Sequence, residues 1–254
     1  MDRPKQFSKW KNQKLGSEDL SRKGSVDKPV VKLVEFINSL DQYFTTSSCS
    51  GRIVLFAEKN DCDIGPQKKG CEWLLVSHDP VQLSQLVNSI KETKKTVVMK
   101  FEAFVLHVQC RSLKDAQLVH EAAVASGHRN SGITVGNSGK IISAVRSTHG
   151  LEVPLTEKGT NFASPEYLEF LAKTANAKLV ENLHRIERFE SCLKELISSK
   201  KSQNGSDSCH KSMKSVKVNS KATQTGSDEA NLSKIHHDFT EPEVGGFDWL
   251  EEVT

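Results

Sequence analysis

Apolar residues recur along this chain in two rhythms, one of three to four residues and one of two. Their alternation predicts a domain of mixed helices and strands. Phe7, Trp10, Lys14 and Leu15 predict a short basic first helix. Val30, Leu33, Val34, Ile37 and Leu40 share one face of a second helix, for which Asp27 is placed as N-cap. Tyr43–Thr46 and Arg52–Phe56 read as extended segments around a Ser-rich turn, and Trp73–Val76 as a short buried strand. Asp79-Pro80 is placed to open a helix reaching about Thr93. Val97–Lys100 and Phe104–Gln109 are strand-like, and Phe104, Leu106 and Val108 alternate with Val105, His107 and Gln109. Ser112 with Asp115 predicts a capping box, and Ser126-Gly127 the end of the helix it starts. Ile133–Val135, Ile141–Arg146 and Leu151–Val153 predict three more strands, the first two joined by a Gly136-Asn137-Ser138-Gly139 turn.

Ser164-Pro165-Glu166 is a strong helix start. Behind it Leu168, Leu171, Ala175, Leu179, Ile186, Phe189, Leu193 and Leu196 mark one long amphipathic helix, on the order of 50 Å. Its mixed outer charges read as a solvated face. From Ser198 the periodicity vanishes, so a folded domain is expected over residues 1–199, followed by a tail over 200–254 with disorder over 200–240. The end, Phe247-Asp248-Trp249-Leu250-Glu251-Glu252, sets apolar side chains among acids. It reads either as a docking motif for a partner's basic, apolar groove or as a plain soluble terminus.

Composition narrows the class. The 254 residues are 36% hydrophobic and 26% charged, as in soluble globular proteins. The longest apolar runs fall far short of the roughly 18 residues a spanning helix needs, and the N-terminus has no apolar signal core. An intracellular, cytoplasmic protein is the expectation. Six cysteines at irregular spacing, without a Cys-x-x-Cys pair, read as free thiols, and no metal site is expected. Residues 1–199 carry 28 Lys and Arg against 23 Asp and Glu, a mild basic excess compatible with RNA but not demanding it.

Three polar clusters fall at the ends of regular elements, where a scaffold can aim side chains. Ser21–Asp27 precedes a helix. Thr45–Arg52 offers small hydroxyls, Gly51 for close backbone approach, and Arg52 as a clamp for phosphate or carboxylate. A solvent-exposed polar turn is the alternative for it. Gly127-His128-Arg129-Asn130-Ser131-Gly132 suits either an anion nest or a plain connecting loop. His78 follows a strand and is either a base titrating near neutrality or a solvated loop residue. Sheet-face or surface positions account for His107 and His149. The dinucleotide glycine fingerprint, the Walker loop, the nucleophile elbow and the zinc-protease motif are all absent. The residues alone reach a ligand-binding α/β domain, with RNA among the ligands they allow.

Five segments carry a closer resemblance. They are Ser21-Arg22-Lys23-Gly24-Ser25-Val26-Asp27, Phe44-Thr45-Thr46-Ser47-Ser48-Cys49-Ser50-Gly51-Arg52, Phe104–Arg111, Arg129-Asn130-Ser131-Gly132-Ile133-Thr134 and Arg146–Pro154. Long and in order, they resemble the wybutosine-synthesizing tRNA methyltransferases over roughly residues 1–195. The resemblance implies a compact α+β, non-Rossmann fold: a mixed sheet with flanking helices. It implies S-adenosylmethionine as cofactor and phenylalanine tRNA as partner, alongside other enzymes of wybutosine synthesis. The implied reaction is methylation of a ring nitrogen of the tricyclic guanosine beside the anticodon. In that setting Thr46, Ser47, Ser48, Gly51 and Arg52 are assigned to the cofactor, and Lys23, Arg129, Ser131 and Arg146 to the tRNA. Asp27 or His78 is assigned to the proton. A non-catalytic RNA-binding or interaction module is the competing expectation.

Overall fold

The computed structural model describes residues 3–17, 24–57, 71–91 and 93–206. Lys23, the loop from Asn60 to Gly70 and the tail beyond Ser206 lie outside them. Helix α1 (Arg3–Leu15) comes first, then a short 3-10 turn (Lys28–Val30) that runs into α2 (Val31–Ser39). Strands β1 (Tyr43–Cys49), β2 (Arg52–Ala57) and β3 (Glu72–Ser77) precede α3 (Leu83–Lys91). Strands β4 (Val97–Glu102) and β5 (Val105–Cys110) precede α4 (Leu113–Ala125). Strands β6 (Gly132–Val135), β7 (Ile141–Arg146), β8 (Leu151–Glu157) and β9 (Thr160–Asn161) lead to α5 (Pro165–Ser206).

The strands form two sheets, in the orders β1-β5-β7-β6 and β3-β2-β4-β8-β9, and every pairing is antiparallel. Three times the chain passes from one sheet to the other within a few residues. It does so through Ser50-Gly51, through Ala103-Phe104 and through residues 147–150. Strands β1, β5 and β7 are neighbours in the first sheet, and β2, β4 and β8 in the second. The three passages therefore lie side by side. The α+β, non-Rossmann class holds, with the single expected sheet divided in two.

Each sheet has its own core. Leu106, Val108 and Val145 pack with α2 and α4 on one side of the seam. Ile53, Leu55, Met99 and Phe101 pack with α3 on the other. Helix α5 spans both, burying Leu168, Leu171, Ala175 and Leu179 in the second core and Ile186, Phe189 and Leu193 in the first. At 42 residues it extends on the order of 60 Å and runs beyond the expected boundary at residue 199.

Local readings divide. Ser112 caps α4 as expected, accepting from the Asp115 amide at 3.2 Å, and Gly127 follows the helix with φ +96°. Asp27 does not cap the helix behind it: it makes no cap bond, because its carboxylate turns to another segment. Asp79-Pro80 does not open α3, which starts at Leu83. Asp79 instead exchanges hydrogen bonds with the Ser77 hydroxyl in a tight turn. Strand β3 is a half-exposed edge strand rather than a buried one. The Ser-rich turn is mostly strand, since β1 pairs with β5 as far as Cys49.

Candidate active site at the sheet crossing

The first passage between sheets brings the site together. Gly51 has φ +97°, a conformation open to glycine. A Cβ there would stand 2.8 Å from Asn182 Nδ2 and 3.1 Å from the Glu102 carbonyl. The expected close approach at Gly51 is therefore to the protein's own Asn182. That side chain is 1% exposed and joins two passages. It accepts from the Phe104 amide at 2.8 Å and donates to the Ser50 carbonyl at 2.7 Å.

Asp27, 5% exposed, reaches the same passage from ahead of the 3-10 turn. Its Oδ2 accepts from the Ser50 amide at 2.8 Å and lies 3.5 Å from His78 Nδ1. His78, just past β3, sets Nδ1 3.0 Å from the Gly51 carbonyl. A carbonyl only accepts, so Nδ1 carries a proton, and in the neutral form of the ring the lone pair is at Nε2. The structure thus brings Asp27 and His78 together from segments 51 residues apart. The pair has the parts of a general base: an imidazole lone pair, and a carboxylate beside the other ring nitrogen to stabilise the protonated form.

Cys49 completes a group with them, the three donor atoms lying within 4.8 Å of one another. These residues are the ones among those described whose spacing can hold a metal ion. Burial pushes the Cys49 thiol up in pKa, with Arg52 and a Gly51 backbone hydrogen bond opposing, so the sulfur stays a thiol.

A second group lies on the face of the first sheet turned away from its core. The pairing of β1 with β5 slips between Thr45 and Ser47, so that Ser47, not Thr46, stands opposite His107. Ser47 Oγ is 2.7 Å from His107 Nδ1, and the Thr46 hydroxyl donates to the His107 carbonyl at 3.3 Å. Arg146, diagonal to His107 across β7, places Nη2 3.2 Å from His107 Nε2. Burial first, and the Arg146 charge second, hold the His107 pKa down.

Other expected residues are placed differently. Arg52 is matched already: its Nε stands 2.6 Å from Glu102 Oε2 and its guanidinium lies over Trp73 at 5.1 Å. Ser48 is half-buried on β1, opposite Leu106. Ser131 is committed to main chain, donating to the His128 carbonyl at 2.7 Å and accepting from the Arg146 amide at 3.0 Å. It braces Arg146 rather than offering a hydroxyl. Arg129 is exposed beside it. His107, Asn182, Glu102 and Trp73 escaped the sequence reading. One signal existed for Asn182, which interrupts the apolar stripe between Leu179 and Ile186. His107 showed only as the polar member of an alternating strand.

The family model described as Methyltransferase TYW3 matches residues 5–195. The chain belongs to this family. The tRNA wybutosine-synthesizing protein 3 homolog of Danio rerio is 47% identical over 242 residues, covering 94% of this chain and 95% of that protein. The human homolog of the same name is 53% identical over 197 residues, covering 78% and 76%. The solved structure of the PH1069 protein from Pyrococcus horikoshii superposes with a TM-score of 0.68 at 32% identity, covering 76% of this chain and 98% of that one. The chain is thus a member of a methyltransferase family, and the relatives it resembles are named for wybutosine synthesis. Among the described residues no helix is long and apolar enough to cross a membrane.

Proposed function

We propose that this chain transfers a methyl group from S-adenosylmethionine to a ring nitrogen of the tricyclic guanosine intermediate beside the anticodon of phenylalanine tRNA. The observation that carries this reading is the Asp27–His78 pair at the sheet crossing, in a chain of a methyltransferase family. When bound, the cofactor supplies an electrophilic methyl group on a sulfonium. A ring nitrogen that receives a methyl group must give up its proton. His78 takes that proton at Nε2. Asp27 stabilises the resulting imidazolium and, through the Ser50 amide, holds the passage in place.

The donor set fits the cofactor and an RNA loop. Thr46, Ser47, Ser48 and the backbone around Gly51 offer hydrogen bonds to carboxylate, amine and ribose groups. Arg52 orders that wall through Glu102 and Trp73. Lys23, Arg129 and Arg146 serve tRNA phosphates, with Ser131 bracing Arg146. A modified purine in an anticodon loop is already single-stranded, so its extrusion into a site costs less than from a duplex. The proposed compartment is the cytoplasm, and other enzymes of wybutosine synthesis and a partner for the terminal acidic-aromatic motif are proposed contacts.

The test is to incubate the protein with labelled S-adenosylmethionine and phenylalanine tRNA lacking this methyl group, then separate the nucleosides. Label in the tricyclic nucleoside is the expected result. Label in no nucleoside, with tRNA still bound, would point instead to the RNA-binding module.

A further inference from the structure

We infer that Ser47, His107 and Arg146 form a subsite for an anionic oxygen, in which His107 fixes the Ser47 hydroxyl as a donor toward the ligand. The inference rests on the reading of this region as a cofactor and tRNA site. Hydrogen-bond logic leads to it. A guanidinium has donors and no acceptor, so the His107 Nε2 that faces Arg146 Nη2 at 3.2 Å must be the accepting nitrogen. The ring is then neutral and its proton sits on Nδ1. That N–H points at Ser47 Oγ, 2.7 Å away, which must accept. With an oxygen lone pair so engaged, the hydroxyl proton of Ser47 is left to turn outward. The strand slip at Thr46 is what puts a serine at this position.

Charge agrees with the hydrogen bonds. Among the described residues Arg52 is paired with Glu102, and Arg185 and Arg188 share Glu181. No described carboxylate pairs with Arg146, whose Nη2 instead meets a neutral ring. A half-buried guanidinium beside an outward hydroxyl donor is complementary to a carboxylate or phosphate oxygen. His107 touches neither ligand nor reacting atom. It is a positioning residue, and it sets the sign of what Ser47 recognises. The anionic oxygen has two sources, the carboxylate of the cofactor and a phosphate of the RNA.

The experiment compares wild type, Ser47→Ala, His107→Gln and His107→Asn by calorimetry against S-adenosylmethionine, its decarboxylated analogue and phenylalanine tRNA. An asparagine amide mimics the Nδ1–H donor, whereas a glutamine amide reaches toward the Nε2 position. Ser47→Ala and His107→Gln are expected to weaken one ligand about tenfold, and His107→Asn to stay within about threefold of wild type. For a cofactor carboxylate, S-adenosylmethionine is the ligand weakened, and binding of the decarboxylated analogue is the same in all four proteins. For an RNA phosphate, only tRNA binding falls. Nitrogen NMR of the His107 ring in wild type should find the proton on Nδ1 near neutral pH. A proton on Nε2, a cationic ring, or a His107→Asn protein as weak as His107→Gln overturns the inference. If wild type binds and all variants bind equally well, this inference alone fails. If wild type binds neither cofactor nor tRNA, the proposed function fails with it.

Discussion

His128 lies in the loop whose composition suggested an anion nest, yet its ring is fully buried between Phe104 and Phe189, with centroids 5.6 and 5.9 Å away. Burial, with Arg185 and Arg188 nearby, pushes its pKa down to about 4. The unfolded chain takes up that proton near the ordinary value of about 6.5, before the native state does. Its contribution to stability is therefore complete above about pH 6.5 and is lost as the pH falls toward 4. Between pH 7 and pH 5 the loss is on the order of 2 kcal/mol. Denaturant midpoints measured at pH 7 and pH 5 should fall further for wild type than for His128→Phe. Equal slopes would show that the ring does not titrate this way. Cys49 stands beside Asp27 and His78 but is held as a neutral thiol, and nitrogen methylation needs no sulfur nucleophile. Cys49→Ser should keep methyl transfer within about threefold of wild type. A folded, inactive Cys49→Ser would give the sulfur a role in the chemistry. At this scale the sequence put forward Asp27, His78, Ser47 and Arg146 as candidates, and the fold sets Asp27 beside His78, and Ser47 and Arg146 beside His107. The sequence could not show that Arg52 is spoken for by Glu102, because that partner is 50 residues away.

The elements were largely legible because burial imposes its period on the sequence. Strand β7 was found over Ile141–Arg146 as predicted, and the Ser112 cap and Gly127 stop framed α4. The misreadings arose where a polar residue served a distant segment. Asp27 looked like a cap from local sequence alone, but its acceptor is taken by Ser50. The serines of β1 looked like a turn, since strands in a core seldom carry Ser-Ser; here the Ser47 side chain leaves the core and meets His107, while Ser48 stands opposite Leu106. Asn182 is the element-scale counterpart of these cases. It fastens α5 to two of the three sheet passages through buried hydrogen bonds, and removing one partner of such a bond costs about 1–3 kcal/mol. Asn182→Leu is expected to lower unfolding free energy by about 3 kcal/mol and to weaken cofactor binding, as Gly51 and Ser50 lose their brace. Denaturant titration with parallel calorimetry checks both. An unchanged midpoint would mean that the passages hold without it.

Across the whole molecule, two sheets with separate cores are joined by three short passages and one helix that packs on both. Neither the division into two sheets nor their order was legible, since strand order depends on long-range pairing that a hydrophobic pattern does not encode. The long helix was legible, and its reach over both cores explains why it must be long. The family match ends at residue 195. A chain ending at residue 206 should therefore keep full methyl transfer on phenylalanine tRNA, and a loss of more than about tenfold would assign the remaining residues a part in catalysis. The account as a whole stands on Asp27 and His78, which only the complete fold brings together. The most direct measurement is single-turnover methyl transfer by Asp27→Asn, alongside its melting temperature and its affinity for S-adenosylmethionine. The variant should fold and bind the cofactor within a few-fold of wild type while its rate falls by about 100-fold or more. A folded Asp27→Asn that methylates at the wild-type rate would contradict the account.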